Sequence, residues 1–393
     1  MKDVVFLNEK QDAEIKRSRL KLKDVLLTIT GVSYGKSSTV NAELEGANIN
    51  QHSVKITLNE GLNPYFLSTF FNSKHGKLQS DKNIVGVTRP ALDYNVIRNF
   101  HIPNISNDFQ KKIELLILKF EGLNNKSKQE YSSAKETLLK EISLDDFESI
   151  QTNNFQEISL TKSLITTTRL DAEYYHPKPL FLIDQLKKKE YYLVKELFDI
   201  GNGYPWKSKY FKEQGKGEPF VRIRNCKPGY IDNETLTTLD SDYAKAEKVE
   251  KAKANDIVIG MDGIKYFYGS LIKESVYINQ RVCHLTPKEN SEMDSELVLM
   301  IINSVIGQTQ LMREMTIAQT VGHITNVSVG NLIIPKLDDK IRNEVSEKIK
   351  KSHQFEKESL HLLEVAKKAV EIAIEENEEV ALHYITRQTK NLN

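Results

Sequence analysis

Hydrophobic positions follow two alternating spacings along the chain. Residues 20–103 contain short apolar runs, such as "DVLLTIT" and "HSVKITL", separated by glycines, which predicts a β-rich segment. Across residues 107–142, apolar residues recur every three or four positions, which is typical of a coiled-coil helix. The same order returns as a β-rich segment at 197–287 and a helical stripe from about residue 338. The pattern therefore predicts an α+β protein in which each of two β-rich globules is followed by a long helix.

The two long helices are expected to pack against each other. Each carries one apolar stripe that needs a partner to leave water, and the nearest partner is the other helix. At 1.5 Å per residue, a helix of about 36 residues is about 54 Å long. We expect an antiparallel coiled coil between the globules. The predicted boundaries are residues 1–106 for the first globule, 107–145 for the first spacer helix, 146–337 for the second globule and 338–385 for the C-terminal spacer helix.

The two halves of the chain repeat each other. "KDVLLTITGVSYGK" places Asp24 and Gly31 exactly where "NDIVIGMDGIKYFYG" places Asp256 and Gly263, 232 positions later. "ITNVSVGNLIIPKLDDK" follows "LDYNVIRNFHIPNIS" at the same offset, and "YINQRV" follows "ANINQH" at an offset of 229. These matches indicate a tandem duplication. The first copy lacks about 66 residues of the second, including "TRLDAEYY" and "PFVRIRN".

Composition describes an ordinary globular protein with an uneven charge distribution. Hydrophobic residues make up 39% of the 393 residues and charged ones 28%, and the net charge is +1. No apolar run reaches a membrane-spanning length and the first residues do not resemble a signal peptide, so we expect a cytoplasmic protein in which Cys226 and Cys283 are reduced. Residues 201–231 hold seven Lys or Arg against two acids, whereas "EIAIEENEEV" is acidic. Such segregation is expected when one region contacts phosphate.

The sequence predicts neither a catalytic site nor a metal site. "GVSYGKSS" ends like a phosphate-binding loop, but its glycines are too close together. "NPYF" lacks the second proline of the amino-methyltransferase motif, and we interpret it as the start of one helix in "NPYFLSTFFNSKHGKLQ". Another helix is predicted at 294–314. The nine histidines show no metal-ligand spacing. Binding chemistry is more evident, because Trp206, Lys207, Lys209 and Tyr210 occupy one loop.

A basic tract adds to this loop. Arg222, Arg224 and Asn225 lie in "PFVRIRN", which we predict to be a strand that presents both arginines on one face. Lys and Arg contact DNA phosphates, and Arg, Asn and Gln read base edges. The alternative interpretation is a solvated edge strand, where cations protect against pairing with other strands.

Several tracts together resemble the DNA-specificity subunit of type I restriction-modification systems, over nearly the whole chain. They are "DVLLTITGVSYGK", "ANINQH", "VTRPALDYNVIRNFHIP", "TRLDAEYYHP", "PFVRIRNCKPGYID", "NDIVIGMDG" and "SVGNLIIPKL". The resemblance implies two target recognition domains, each reading half of a bipartite DNA site, with helices between them as a ruler. It implies a non-catalytic subunit that directs methyltransferase (modification) and restriction/translocase subunits. S-adenosylmethionine, ATP and Mg would then be bound by those partners, and no cofactor by this chain.

We expect the DNA contacts to come mainly from the second domain. The candidates there are Lys207, Lys209, Arg222, Arg224, Asn225, Lys265, Tyr266, Arg281, Gln319 and His323, and in the first domain Tyr34, Lys36, Gln51 and Arg89. The lysines should set affinity and its salt dependence, and the Arg, Asn and Gln side chains are better suited to bases. The pairs Asn50-Gln51 and Asn279-Gln280 occur in both copies and are better candidates for holding a turn.

Three other interpretations remain open from the sequence. The chain is the C-terminal specificity region of a type IIG-like restriction-methyltransferase fusion, a truncated phase-variation remnant, or a coiled-coil scaffold that binds no nucleic acid. The incomplete first copy bears on all of them, because its missing part is either lost or supplied by another polypeptide. We further hypothesise that residues 167–337 fold and bind DNA alone.

Overall fold

The structure is a computed structural model, and it describes residues 5–31, 33–86, 90–144, 146–151, 157–212, 215–318 and 321–390. The chain divides into two compact units. Unit 1 comprises residues 1–128 and 352–393, and unit 2 comprises residues 129–351. Both boundaries fall inside the long helices, whereas the predicted domain boundaries were placed at the helix ends. Each unit therefore includes a part of both long helices.

The elements follow one another in two similar series. The first series is α1 Glu9–Glu14, β1 Val25–Thr28, β2 Ser37–Thr39, β3 Ser53–Ile56, α2 Pro64–Asn72, α3 Lys74–Asn83, α4 Tyr94–Arg98 and α5 Asn107–Glu141. The second is α6 Leu160–Lys162, α7 Pro177–Lys187, β4 Tyr191–Leu193, α8 Val194–Leu197, β5 Phe198–Asn202, β6 Phe211–Lys212, β7 Glu218–Val221, β8 Cys226–Lys227, β9 Tyr230–Ile231, β10 Thr237–Leu239, α9 Ser241–Ala246, β11 Ile257–Gly260, β12 Asp262–Gly263, β13 Gly269–Leu271, β14 Tyr277–Ile278, β15 Val282–Pro287, α10 Ser295–Asn303, α11 Val305–Glu314, β16 Thr316–Ala318, β17 Val321–His323, α12 Asn326–Gly330, β18 Ile333–Pro335, α13 Asp339–Glu375 and α14 Glu378–Thr389. Within the described ranges, no helix is long and apolar enough to cross a membrane.

Unit 1 is built on a small antiparallel sheet with strand order β2-β1-β3. Helix α2 begins at Pro64, where the Asn63 side chain accepts a hydrogen bond from the Tyr65 backbone N–H at 2.9 Å, which caps the helix. Its aromatic residues, including Phe66 and Phe70, pack into one core with β1, the first part of α5 and the last part of α13. Helix α14 also joins this core.

Unit 2 contains a larger version of the same arrangement and an additional lobe. Its main sheet has the order β13-β11-β15-β5 and shares a core with α10 and α11. A second sheet, β14-β7-β10-β6, contributes Phe220 and Tyr277 to a separate core around Trp206. A third sheet, β12-β17-β16, is short and antiparallel at both pairings. Cys226 and Cys283 are buried free thiols, as predicted.

The predicted duplication is present element by element. At the offset of 232, β1 matches β11, β2 matches β13, α4 matches α12 and α5 begins where α13 begins. At 229, β3 matches the first four residues of β15. Strand register is also preserved, because Val25 pairs with Thr39 in unit 1 and Ile257 pairs with Leu271 in unit 2. Helix α1 matches α9, so the correspondence extends upstream of the predicted repeat.

Amide side chains hold both copies in the same way. Asn72 accepts a hydrogen bond from the Ser37 N–H at 3.0 Å and donates to the Ser37 carbonyl at 2.7 Å. Asn303 makes the same two contacts with Gly269, both at 2.9 Å. A second clamp joins Gln310 to the Ile333 backbone, and its counterpart joins Gln79 to His101. Each clamp satisfies backbone groups that would otherwise lack a partner.

The long helices pack antiparallel within each unit. In unit 1, Ser127 of α5 hydrogen-bonds to Ser352 of α13, and Ser106, just before α5, is bound by Glu378, just after α13. In unit 2, Lys348 of α13 donates to Thr137 of α5 at 2.8 Å. Residue numbers rise along one helix as they fall along the other. The predicted fold class, α+β with antiparallel long helices, is confirmed.

Three local predictions were wrong. The C-terminal helix is not continuous to residue 385, because Asn377 has extended backbone and caps a new helix, α14, through a hydrogen bond from Val380. The helices predicted in "NPYFLSTFFNSKHGKLQ" and at 294–314 are each two helices, broken at Ser73 and Ser304. "PFVRIRN" is not a strand throughout, because β7 ends at Val221 and a 3-10 turn follows.

Candidate nucleic-acid interface

An open cleft in unit 2 collects polar side chains from four elements. It has a volume of about 590 Å³ and is lined by Asn202, Gly203, Pro205, Met261, Gln280, Arg281, His323, Thr325, Asn326 and Val327. Asn202 ends β5, Arg281 immediately precedes β15, and His323 ends β17. The rims of two sheets and the start of α12 therefore converge on this cleft.

Asp262 joins two of the predicted DNA-binding residues. Its carboxylate lies 2.7 Å from Nδ1 of His323 and 3.7 Å from Nη1 of Arg281. The β-ladder between β12 and β17 places Asp262 directly opposite His323. Arg281 remains 53% exposed, so a single carboxylate orients its guanidinium without covering it. An arginine held in this way presents donors that suit guanine edges or phosphates.

The loop that carries Lys207 and Lys209 also borders this cleft, because its residue Pro205 is part of the cleft lining. The next residue, Trp206, is only 5% exposed and donates from Nε1 to the Ile278 carbonyl at 3.0 Å. The indole anchors the loop, so Lys207 and Lys209 project into solvent. Trp206 itself is a core residue of the lobe.

Aromatic rings pack around this anchor. Tyr210 stacks on Tyr243 with ring centroids 3.9 Å apart, and the ammonium of Lys209 lies 4.9 Å from the Tyr210 ring centroid. Tyr204 donates a hydrogen bond to Glu247, and this bond raises the pKa of the Tyr204 hydroxyl. The loop that carries the lysines is therefore held from several sides.

The segment after β12 carries two further predicted residues. Lys265 is exposed, and Tyr266 is 54% exposed with its ring stacked on Tyr268 at 5.2 Å and an interplanar angle of 10°. The neighbouring Ile264 is also exposed. An exposed tyrosine stacked on a half-buried one beside a cation is suited to contact with bases or sugars.

The 222–225 turn corrects the predicted basic strand. Asn225 is fully buried and serves the protein itself, because its Oδ1 accepts from the Arg222 N–H at 2.9 Å and its Nδ2 donates to Thr235 at 3.0 Å. Its amide is thus occupied and does not reach solvent, so Asn225 is not available for contact with DNA. Arg224 is exposed, but its Nη2 donates to the Thr235 carbonyl and to Thr237. Arg222 is half-buried.

Part of the positive charge of residues 201–231 is neutralised within the lobe. Lys212 lies 3.4 Å from Asp240. The pKa of Asp240 is lowered, first by the hydrogen bond from the Tyr243 N–H at the cap of α9 and then by Lys212. The strongest candidates for contact are therefore the exposed Lys207 and Lys209 together with Arg281.

Unit 1 offers fewer exposed candidates. Tyr34 donates to Asp81 at 2.8 Å, and this bond raises the pKa of the phenol. Lys36 and Gln51 are exposed. Arg89 in this unit and Gln319 in unit 2 lie outside the described residues.

The interpretation of the recurring asparagines as turn residues is confirmed. Asn50 accepts from the His52 N–H at 3.0 Å, and Asn279 accepts from the Arg281 N–H at 3.3 Å. The two side chains hold equivalent turns in the two copies, and in unit 2 this turn positions Arg281.

The "TRLDAEYY" tract contacts the backbone that leads into β16 and so supports the site. Arg169 forms two 2.6 Å hydrogen bonds with Asp171 and donates to the carbonyls of Glu314 and Met315, immediately before β16. The hydrogen bonds between Arg169 and Asp171 lower the pKa of the Asp171 carboxyl. Arg313 packs on the Tyr174 ring at 3.6 Å. This tract fixes the start of the hairpin that carries His323.

Sequence reasoning missed Asp262, Thr325 and Asn326, and it assigned Gln280 to a turn. The spacing of the three missed residues does not mark them, and the position of Asp262 in "MDG" is taken by Thr30 in "ITG" of the first copy. Oδ1 of Asn326 is buried without a hydrogen-bond partner. In the part of the chain that the structure describes, no group of three His, Cys, Asp or Glu side chains is arranged to hold a metal ion.

Comparison with solved structures finds similar proteins, among them the following three. The type I restriction-modification S subunit from M. genitalium is 13% identical, with 90% of this chain and 83% of that chain covered and a TM-score of 0.42. The HsdS subunit from Thermoanaerobacter tengcongensis is 13% identical over 91% and 82%, with a TM-score of 0.32. The type IIG restriction endonuclease BpuSI is 11% identical over 59% and 38%, with a TM-score of 0.35. No protein-family model and no curated protein matches the chain.

Proposed function

We propose that this chain recognises specific sequences in double-stranded DNA and acts as the non-catalytic specificity subunit of a type I restriction-modification complex. The proposal is supported by the cleft of unit 2, which contains an arginine and a histidine paired with one carboxylate, and by the exposed lysines of the loop that follows Pro205 at the cleft. Lysines contribute sequence-independent attraction to phosphates, and arginine contributes base discrimination. In this proposal Arg281 reads a base, and Lys207 and Lys209 contact the backbone.

The partners and cofactors of this function are part of the same proposal. Methyltransferase subunits would bring S-adenosylmethionine, and restriction/translocase subunits would bring ATP and Mg. The tandem units with antiparallel helices support this proposal, because a duplicated recognition framework suits a bipartite DNA site. The chain's own residues bind and orient DNA, and the bond-making steps belong to the partners.

Methylome sequencing tests the function directly. Cells with and without the gene are compared, together with cells that carry Arg281→Ala. We expect one methylated motif that disappears with the gene and is lost or relaxed at one base pair in the variant. Identical methylomes in the presence and absence of the gene would contradict the proposal. Methylation that persists without any separate modification subunit would favour the fusion-enzyme alternative.

A further inference from the structure

One edge of the unit 1 sheet is unpaired where unit 2 has a strand. In unit 2, β15 pairs on its outer side with β5, in the register that places Thr286 opposite Asp199 and Leu285 opposite Ile200. The counterpart of β15 is β3, at the offset of 229. Among the described residues, β3 pairs only with β1. Unpaired backbone groups at a sheet edge are a template for another strand.

A second backbone segment of unit 1 lacks its partner strand. In unit 2, β18 pairs with β4, and Ile334 is opposite Tyr192. The counterpart of β18 is residues 101–103, which belong to no described strand although the Gln79 clamp holds them as Gln310 holds β18. In unit 2 the strands β4 and β5 are joined by α8, so one segment, residues 191–202, completes both edges.

Apolar residues beneath this segment are buried in unit 2 and partly exposed in unit 1. Leu285, Val329, Leu332 and Ile334 are all buried in unit 2. Their counterparts Ile56, Ile97, Phe100 and Ile102 are only partly buried. The difference has a visible cause in unit 2, where Val194, Leu197 and Phe198 of the 191–202 segment are buried in the same core.

A third segment of unit 1 also lacks the strand partners that its counterpart in unit 2 has. Residues 5–7, "VFL", match β10, which in unit 2 is paired on both sides by β6 and β7. In unit 1 these residues form no strand, and Val5 and Phe6 are 87% and 90% exposed. Three separate surfaces thus lack contacts that the corresponding part of unit 2 receives from residues 191–221.

We propose that the open edge of unit 1 is a docking site for a strand–helix–strand segment folded like residues 191–202 of this chain. The segment pairs with β3 through its second strand and with residues 101–103 through its first, and its apolar helix residues cover Ile97 and Phe100. Unit 2 identifies the chemistry of the occupant, because it contains the same framework with the segment in place. The inference does not depend on DNA binding.

A synthetic peptide provides the first test. The full chain is titrated with a fluorescent peptide of residues 188–204, and binding is followed by anisotropy and by hydrogen exchange. We expect saturable binding at one peptide per chain, with new protection at residues 53–58 and 101–103. A peptide with Leu197→Asp and Phe198→Asp should bind at least tenfold more weakly, and a peptide with Lys188→Ala, an exposed lysine that pairs only with Asp184 outside the peptide, should bind equally well. Absence of binding by the native peptide, or equal binding of the aspartate peptide, overturns the proposal.

Register-specific crosslinking provides the second test and detects weak complexes. A peptide with Asp199→Cys is mixed with the chain carrying Thr57→Cys, the counterpart of Thr286. Directly paired strand residues lie within disulfide range, whereas Ser53→Cys lies about 13 Å further along β3. We expect a disulfide with Thr57→Cys and little with Ser53→Cys. Equal crosslinking at both positions overturns the proposal. Protection changes confined to β15 and β18 would mean exchange with unit 2, and chain dimers that the peptide disperses would identify a second copy as the occupant, so either result overturns it.

Discussion

At the scale of single residues, Arg281 and the two loop lysines have different expected roles. The Arg281 guanidinium lies 3.7 Å from the Asp262 carboxylate and its backbone is held by the Asn279 turn, whereas Lys207 and Lys209 are exposed lysines without a carboxylate partner in the described structure. A guanidinium held beside a carboxylate favours base recognition, and exposed ammonium groups favour phosphate contact. In unit 2, different residues are thus expected to determine the specificity and the affinity of DNA binding.

This separation predicts distinct effects on DNA binding. Replacing Lys207 and Lys209 by Ala should lower the salt dependence of log K by about 2, since each lost phosphate contact removes about 1. Arg281→Ala should instead reduce discrimination between cognate and altered sites by about 1–3 kcal/mol. Anisotropy titrations at several salt concentrations measure both. Lys187→Ala, an exposed lysine of α7, is the control and should change neither. A uniform loss for all three variants would contradict the division of roles.

The buried thiols predict a pH dependence of stability. Burial raises the pKa of Cys226 and of Cys283 to about 12, from an ordinary value of 9.0. The unfolded chain therefore releases these protons at lower pH than the folded chain. Stability from this source is complete below about pH 9 and falls as pH rises toward 12, by up to about 1.4 kcal/mol per pH unit and thiol.

Urea unfolding at pH 8 and pH 10 measures this effect, with the double variant Cys226→Ala and Cys283→Ala as the control. The variant is expected to be less stable at pH 8 but to lose less stability between the two pH values. At pH 8 the native thiols should react with a disulfide reagent only as fast as unit 2 opens. Rapid reaction of the folded protein would show that the thiols are accessible.

At the scale of elements, the break between α2 and α3 depends on a glycine. A Cβ on Gly76 would lie 2.3 Å from the Phe70 carbonyl oxygen and 2.5 Å from Cα of Phe71. Gly307 has the equivalent contacts with Ile302 in unit 2. Both are positions where the backbone of one helix crosses close to the end of the preceding helix, so no side chain fits.

Substitution at two glycines of unit 1 should therefore have opposite effects. Gly76→Ala should lower the free energy of unfolding by about 1–3 kcal/mol, because backbone must move. Gly122→Ala, in α5 with open space around its Cβ, should raise it by about 0.5–1 kcal/mol through helix propensity. Chemical denaturation of both variants measures the difference. A stabilising effect of Gly76→Ala would contradict the close approach.

Element types and order were predictable from the sequence, but several ends and turns were not. The period of α5 and α13 extends over many turns, so their existence follows from pattern. The ends of the short helices depend on Ser73, Ser304 and Asn377, whose capping hydrogen bonds a periodic pattern does not encode. In "PFVRIRN", alternation suggested a strand, but the buried contacts of Asn225 favour a turn.

The candidate site was predictable only in part for a related reason. Arg281 and His323 were chosen for their chemistry, and the structure brings them together at Asp262. Asp262 itself was missed, because its importance lies in cross-strand pairing between β12 and β17, which are far apart in sequence. Trp206 and Asn225 looked like binding residues by type, yet tertiary packing buries both.

At the scale of the whole molecule, the stable unit is larger than the recognition domain predicted from sequence. The core of unit 2 includes Leu138 and Ile142 near the end of α5, and Val345 and Ile349 near the start of α13. A fragment of residues 167–337 omits all four, and removal of each buried Leu or Ile side chain costs about 2–5 kcal/mol. We therefore expect that a fragment able to fold alone must be longer than residues 167–337 and must include these helix segments.

We expect residues 129–351 to unfold cooperatively and to bind DNA within about tenfold of the affinity of the full chain, a difference of about 1.4 kcal/mol. The shorter fragment, residues 167–337, should be much less stable. Circular dichroism with urea, followed by anisotropy on the same duplex, compares them. Equal stability of the two fragments would show that the helix segments do not contribute to the core, and loss of binding by residues 129–351 would show that unit 1 is required.

The clamps made by Asn72 and Asn303 imply that some positions of the chain tolerate amino-acid substitution better than others. Because each amide fastens a helix to a strand through backbone atoms alone, the identity of the neighbouring loop side chains has no bearing on whether the clamp closes. A saturation library should accordingly keep asparagine at both positions while accepting many residues at 264–266 and at 207–209. Substitutions in these loops can therefore change which ligand the protein binds while the fold is maintained.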